Sequence, residues 1–440
     1  MFVTLQTRFD QAMGQLTGPQ PPQIIGVSVS GGGDSMALMH LAARWAKGAG
    51  VKLAVATIDH GLRPQSAGEA AMVARAAAAL NLPHDTLKWT GWDGQGNLQD
   101  AARRARTRLL AHWRGPIRHI LTGHTADDQA ETFLMRLARG SGVEGLSAMR
   151  AHRHITDADI DTDTDTDTTT GATTDAGGFA ILRPLLEMRR AELRDYLRAQ
   201  AIPWVEDPSN DDPRFDRVKA RRALTLLEPL GLTTQTLADT AGRMRRSQQA
   251  LAARATQVAT QLTQTTPSGD LLIQSAGLAK VETDTRLRIL AAALRWVSSN
   301  PYRPRAQALC RALQEAEGGK TATLHGCLIL PGRTHLRVTR EFQAVKDQVS
   351  TATPATFWDH RWQVSLPDNK DLHIRALGPD GLEQLDQITP DAPPRAALLA
   401  TPSLWDGARL VAAPFAGFGQ SCEITLAPAA QDFVSCLLSH

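Results

Sequence analysis

Between residues 24 and 140, apolar runs of strand length alternate with stretches of helical period. Residues 24–30 (IIGVSVS) read as a buried strand and 35–49 as a helix. Residues 51–59 and 66–82 repeat the pair, as do 83–89 and 97–113. A fourth strand over 119–124 runs into a helix over 126–140. Apolar strands that each hand over to a helix predict a parallel sheet covered on both faces. Residues 179–186 resume a strand, 187–200 a helix, and 204–215 a loop rich in turn residues. From 217 to 317 the text is helical and studded with arginine. After Gly318-Gly319 it turns strand-like over 321–332 and 334–341, then mixed or β-rich to the end.

The fold class is therefore α/β, in three parts. Residues 1–216 form the sheet domain, 217–317 an Arg-rich helical domain, and 318–440 a smaller mixed region. A chain of 440 residues has room for two to four domains at ~100–200 residues each. Residues 156–178 (TDADIDTDTDTDTTTGATTDAGG) have nothing with which to build a core and read as a disordered acidic insertion.

Net charge is only +3, so no global basic field points to nucleic acid, and the distribution of arginine matters more than the total. Cys310, Cys327, Cys422 and Cys436 form no CxxC pair and no metal-like spacing with histidine, which suits reduced thiols. Arg8 and Asp10 fall where a signal peptide needs an apolar stretch, and no run of ~18 apolar residues occurs. The expected location is cytoplasmic, with no membrane span.

Between the first strand and its helix lies Ser30-Gly31-Gly32-Gly33-Asp34-Ser35. A strand, a glycine turn and a helix start make an anion site, because backbone N–H groups converge there and the helix dipole adds positive potential. No Lys-Ser/Thr follows the glycines, so it is not a Walker A loop. Asp34 is placed to hold Mg²⁺; the competing reading is a tight turn with Asp34 and Ser35 as caps. Asp59-His60-Gly61-Leu62-Arg63 ends the second strand, so His60 and Arg63 can face a nucleotide there. His124, Asp127, Asp128 and Glu131 follow the fourth strand within two helical turns. Such a cluster suits Mg²⁺, a cationic substrate or proton transfer, against the plainer reading of an acidic first turn. Arg183-Pro184-Leu185-Leu186 says little on first principles.

SGGGDS after an apolar strand resembles the PP-loop of the ATP pyrophosphatases, which cleave ATP between its α- and β-phosphates. SGGGDS, DHGLR, the AAR..R helix, LTGHTADDQAETFLMRLARGSG, RPLL and the W.EDPSN loop also come in the order of one branch, tRNA(Ile)-lysidine synthetase. The resemblance covers roughly residues 24–222. Two departures stand out. Arg106-Thr107 replaces the usual Arg-Tyr, and Arg217-Val218-Lys219-Ala220-Arg221 keeps both arginines of Arg-Asn-x-x-Arg but lacks its Asn.

The resemblance implies a Rossmann-like PP-loop domain that ligates lysine to C2 of the wobble cytidine in CAU-anticodon tRNA(Ile). The reaction proceeds through an adenylated base and releases AMP and pyrophosphate. Free L-lysine and that tRNA are the implied partners, with a homodimer left open. Implied for ATP are Ser30, Gly31, Gly32, Gly33, Asp34, Ser35, Asp59, His60, Arg63 and His124. Asp34 and Asp127 are implied for Mg²⁺, and Asp128, Glu131 and Asn210 for lysine. Arg106 joins the carboxylates Asp34, Asp127, Asp128 and Glu131 in the chemistry. The tRNA falls to Arg217, Arg221, Arg222, Arg243, Arg245 and Arg246. Other PP-loop enzymes, for tRNA thiolation or small-molecule amidation, are the alternatives, and a nucleotide sensor is a third.

Overall fold

The computed structural model describes residues 4–61, 65–90, 92, 98–155, 178–206, 214, 216–300, 302–353, 357–365, 372–419, 423–427 and 432–438. Arg63, Asn210 and residues 156–177 of the acidic run lie outside these. Two compact units are present, Met1–Gln249 and Ala250–His440.

The first unit opens with helix α1 (Leu5–Thr17), which the pattern reading did not contain. Then follow β1 (Ile24–Ser28), α2 (Gly33–Ala49), β2 (Lys52–Asp59), α3 (Ser66–Ala79), β3 (His84–Lys88), α4 (Leu98–Trp113), β4 (His119–Leu121) and α5 (Ala126–Ala138). A short α6 (Val143–Leu146), β5 (His152–Ile155), β6 (Phe179–Leu182), α7 (Arg190–Ala199), α8 (Asp216–Leu227) and the long α9 (Thr234–Leu262) come next.

Strand alternation builds two layers around the sheet. Ile25, Val27, Leu53 and Val55 pack with Met36, Leu38 and Leu41 of α2. Their neighbours Ile24, Ala54 and Ala56 pack on the other face with Leu110 of α4. The strand order is β3-β2-β1-β4-β6-β5. Every pair is parallel except β5 with β6. The wholly parallel sheet expected from the sequence thus gains one antiparallel edge strand. β5 and β6 flank the acidic run, and an antiparallel pair needs no helical crossover.

The order reverses between β1 and β4. In open α/β sheets that switch point is where ligands bind, beyond the carboxyl ends of the strands. Gly31–Gly33 leaves β1 there and Gly123-His124 leaves β4. Beside them α5, α8 and α9 share an apolar seam of Ala130, Phe133, Leu224, Leu237 and Ala241.

In the second unit, five antiparallel strands run from β7 (Thr263–Thr265) and β8 (Leu271–Gln274) to β9 (Ala322–Leu324), β10 (Cys327–Pro331) and β11 (His335–Arg340). Helix α10 (Thr283–Ser298) is buried along most of its length. Its Leu290 and Leu294 share a core with Cys327, Ile329 and Leu313. The helical text before residue 317 and the strands after it therefore fold together here. The region expected to be mixed holds two further antiparallel sheets, of four and three strands. Cys310 and Cys327 are free thiols, and burial pushes the Cys327 thiol up to about 12.

Candidate active site

The glycine turn is held open by three features. Gly31 has φ +87°, which a side chain would strain. Val205 donates its N–H to Gly31 O at 2.9 Å, closing the strand-like 204–206 segment onto the turn. A Cβ at Gly33 would meet the Trp204 ring at 3.4 Å. The Ser35 hydroxyl donates to Gly32 O (2.9 Å) and accepts from the Ser30 N–H (3.1 Å), so it shapes the turn from within. From β4, Gly123 comes so near that a Cβ would sit 3.1 Å from Ser35 N. Glycine at 123 is what lets the two strand exits meet.

Asp34, Asp127, Asp128 and Glu131 converge at that meeting point, around a residue the sequence reading passed over. The guanidinium of Arg190 donates through Nε to Asp34 Oδ2 at 3.0 Å, and lies 3.3 Å from Asp128 Oδ1 and 3.4 Å from Glu131 Oε1. Its backbone N–H donates to Asp127 Oδ2 at 2.7 Å. Arg190 is the first residue of α7, and a cation at a helix N-terminus opposes the dipole. That local conflict was the available signal, since rule-breaking residues concentrate at functional sites.

Two arginines expected on the RNA face also stand here. Arg221 donates through Nε to Glu131 Oε1 at 2.6 Å, and Arg217 lies 3.9 Å from Asp128 Oδ1. Arg222 is exposed on the same helix, α8.

The carboxylates differ in what they have left to offer. Asp128 Oδ2 accepts from the N–H and the hydroxyl of Thr125 (both 2.9 Å) in a capping box. Glu131 Oε2 and Asp34 Oδ1 are buried and have no hydrogen-bond partner. Burial raises the proton affinity of Asp34 against the pull of Arg190. Burial, then repulsion from Asp128, raises that of Glu131 against Arg221 and Arg190. At Asp128 burial pushes up, but Arg190, Arg217 and the Thr125 N–H outweigh it and hold the group below its usual range.

Two histidines flank the cluster as neutral rings. His124 accepts or donates at Nδ1 to Thr122 Oγ1 (3.1 Å), and its pKa is lowered to about 3 by burial and then by Arg183. His60 packs edge-on against Trp89 and is lowered to about 4 by burial and by Arg106. Arg106 thus lies near both rings. Asp59 accepts the Gly61 N–H at 2.9 Å and closes its own turn.

The three arginines of α9 do not act alike. Arg243 and Arg246 are exposed. Arg245 donates to Ser147 O (3.2 Å) and to Met149 O, beside Gln129, which pairs with both backbone groups of Met149. Arg245→Ala should therefore destabilise the first unit by about 1–3 kcal/mol, chiefly the cost of leaving Ser147 O without this donor, since Gln129 still serves Met149 O. A urea titration with the same midpoint as the parent would show the clamp to be idle.

The family model for the PP-loop domain matches residues 4–227. The tRNA(Ile)-lysidine synthase of Ruegeria pomeroyi is 45% identical over 423 residues, covering 96% of this chain and 95% of its own. That of Methylobacterium nodulans is 40% identical over 300 residues (67% and 81%), and that of Hyphomonas neptunium 36% over 338 (75% and 85%). A relative matched along nearly its whole length, and a PP-loop domain laid over the crevice between β1 and β4, lead to one conclusion: the chain belongs to the tRNA(Ile)-lysidine synthase family of PP-loop enzymes.

Proposed function

We propose that the crevice beyond β1 and β4 carries out both half-reactions of lysidine formation, with Asp34 serving the nucleotide and Glu131 the lysine. The enzyme is an ATP-dependent ligase of the lysidine synthase family. O2 of the wobble cytidine attacks the α-phosphorus of ATP and pyrophosphate leaves. The lysine ε-amine then attacks C2, its proton is lost, and AMP departs with the oxygen.

One observation carries the residue roles. Asp34 Oδ1 and Glu131 Oε2 are buried carboxylate oxygens without partners, in a site otherwise ringed by guanidinium groups. Such atoms are costly to leave unmet, so each favours an incoming cation or donor. Asp34, at the start of α2 under the glycine turn, fits Mg²⁺ carried in with ATP. Mg²⁺ is commonly held by one or two carboxylates together with substrate phosphates, so Asp34 needs few protein partners for that role. When bound, the ion offsets charge on the triphosphate. Asp127, with one oxygen committed to the Arg190 N–H, is the second carboxylate in reach. The α2 amides face the phosphates, with Arg106 and His60 on the β2 side.

Lysine enters with a pKa near ~10.4 and must lose a proton before it attacks. Glu131 Oε2 and Asp128 Oδ1 receive the ammonium. Arg190, Arg217 and Arg221, set around the same carboxylates, disfavour its charged form, as does burial. Glu131, with raised proton affinity, takes the proton. In this reading the crevice of residues 1–216 catalyses with Arg217 and Arg221 beside it, and Arg222, Arg243 and Arg246 hold tRNA. Mg²⁺ dependence and a cytoplasmic location belong to the same proposal, and a homodimer stays open; no described helix is long and apolar enough to cross a membrane.

The test mixes protein, ATP, Mg²⁺, radiolabelled lysine and a CAU-anticodon isoleucine tRNA transcript, with methionine tRNA as control. Base-stable label on the isoleucine tRNA alone, with AMP released in equal amount, is the expected result. AMP released without label on RNA would move the reading to small-molecule amidation.

A further inference from the structure

Within the first unit, a cleft of about 610 Å³ lies between α1, the Arg183–Met188 turn, α5 and the part of α9 near Arg243. Five arginines line it, against two carboxylates, Glu187 and Asp239. They come from three separate elements: Arg8 from α1, Arg183 from the RPLL turn, and Arg243, Arg245 and Arg246 from α9. Concave surfaces with an excess of one charge sign focus potential and gather a counter-ion of opposite charge.

Helix α5 separates this cleft from the acidic cluster. Ala126 and Gln129 line the cleft, whereas Asp127, Asp128 and Glu131 reach Arg190 on the other side. At ~100° per residue these two sets lie on opposite faces, and a helix with its side chains is ~10–12 Å across. The cleft is thus one helix away from the reacting centre.

Three of its arginines are held in place, Arg245 by the Ser147 and Met149 carbonyls. Arg8 pairs with Glu192 at 2.5 Å and donates to Glu187 O at 2.6 Å; Arg183 donates to Arg150 O at 2.6 Å. Arg243 and Arg246 stand exposed at the α9 wall. Gln11 and Gln15 of α1 add uncharged amides on the opposite wall. Fixed guanidinium groups with neutral donors suit a phosphodiester, which binds through its oxygens whatever the base.

We propose that this cleft is an RNA-phosphate site, which seats one or two phosphates of the tRNA substrate while the target cytidine lies on the far side of α5. The inference rests on the tRNA reading above, and gives the RPLL motif a role: its arginine forms the floor of the phosphate seat.

The test places negative charge on the α1 wall, away from α9. Gln11→Glu with Gln15→Glu, on an exposed helix face, should keep the thermal melt and the ATP affinity. It should weaken tRNA binding several-fold at low salt, with the difference shrinking as salt rises. Arg246→Gln should make the salt slope shallower by ~1. An unchanged tRNA affinity in the glutamate variant would overturn the cleft, even if Arg246→Gln weakens binding and so upholds α9 alone. Inorganic phosphate at constant ionic strength separates a free-anion site. If it protects the cleft from unfolding in the parent but not in the variant, while tRNA affinity is equal in both, the proposal fails. No tRNA binding by the parent protein would instead remove the reading beneath it.

Discussion

Glu131→Gln should lower lysine-dependent turnover by roughly 10²–10⁴, the range for losing a positioned acid–base group. The apparent affinity for lysine should fall with it, and ATP binding should persist. The substitution keeps shape and an acceptor for Arg221, and removes a charge that the surrounding protein already disfavours. Folding stability should therefore change far less than activity. Steady-state kinetics over a lysine series, paired with nucleotide titration, reads all three. If turnover and lysine affinity match the parent, Glu131 is only a partner for Arg221.

The second large effect is on the fold. Arg190→Met would remove the cation shared by Asp34, Asp128 and Glu131 and leave these buried carboxylates facing one another. Breaking a buried ion pair from one side costs on the order of 3–5 kcal/mol. The sign of the pH dependence follows. Without Arg190, burial and mutual repulsion raise the folded pKa of these carboxylates, so the folded state binds more protons than the unfolded chain. Stability must then fall as pH rises through the carboxylate range, and the deficit against the parent should be widest at neutral pH. Because the chain has two units, hydrogen exchange in α5 and α7 is the right observable. Equal protection in parent and variant at pH 7 would show that Arg217 and Arg221 already balance the cluster.

How much of this was legible varies by element. The β–α alternation of the first 140 residues was plain, because a strand buried on both faces is written as a short apolar run. The PP-loop was legible through its resemblance to the ATP pyrophosphatases; the glycine turn alone left a plain capped turn open. α1 was missed because Phe9 and Met13 are its only buried residues among mostly polar neighbours. β5 was missed because HRHI looks polar, and its Arg153 and Ile155 find burial only by pairing with β6.

At the site, sequence spacing alone determined that Asp127, Asp128 and Glu131 share one end of a helix, since 3.6 residues per turn is a local rule. It placed the strand exits, whereas the strand order that opens the crevice between β1 and β4 came only with the fold. It could not assign the arginines. Arg190 meets Asp34 across 156 residues, and Arg221 meets Glu131 across 90. Whether an arginine faces solvent, a carboxylate or a backbone carbonyl depends on which element packs beside it. Only the tertiary structure therefore decided that Arg217 and Arg221 join the carboxylates, that Arg245 clamps a loop, and that Arg243 and Arg246 remain on a cleft wall. Local periodicity sets faces along a helix; long-range packing sets what each face meets.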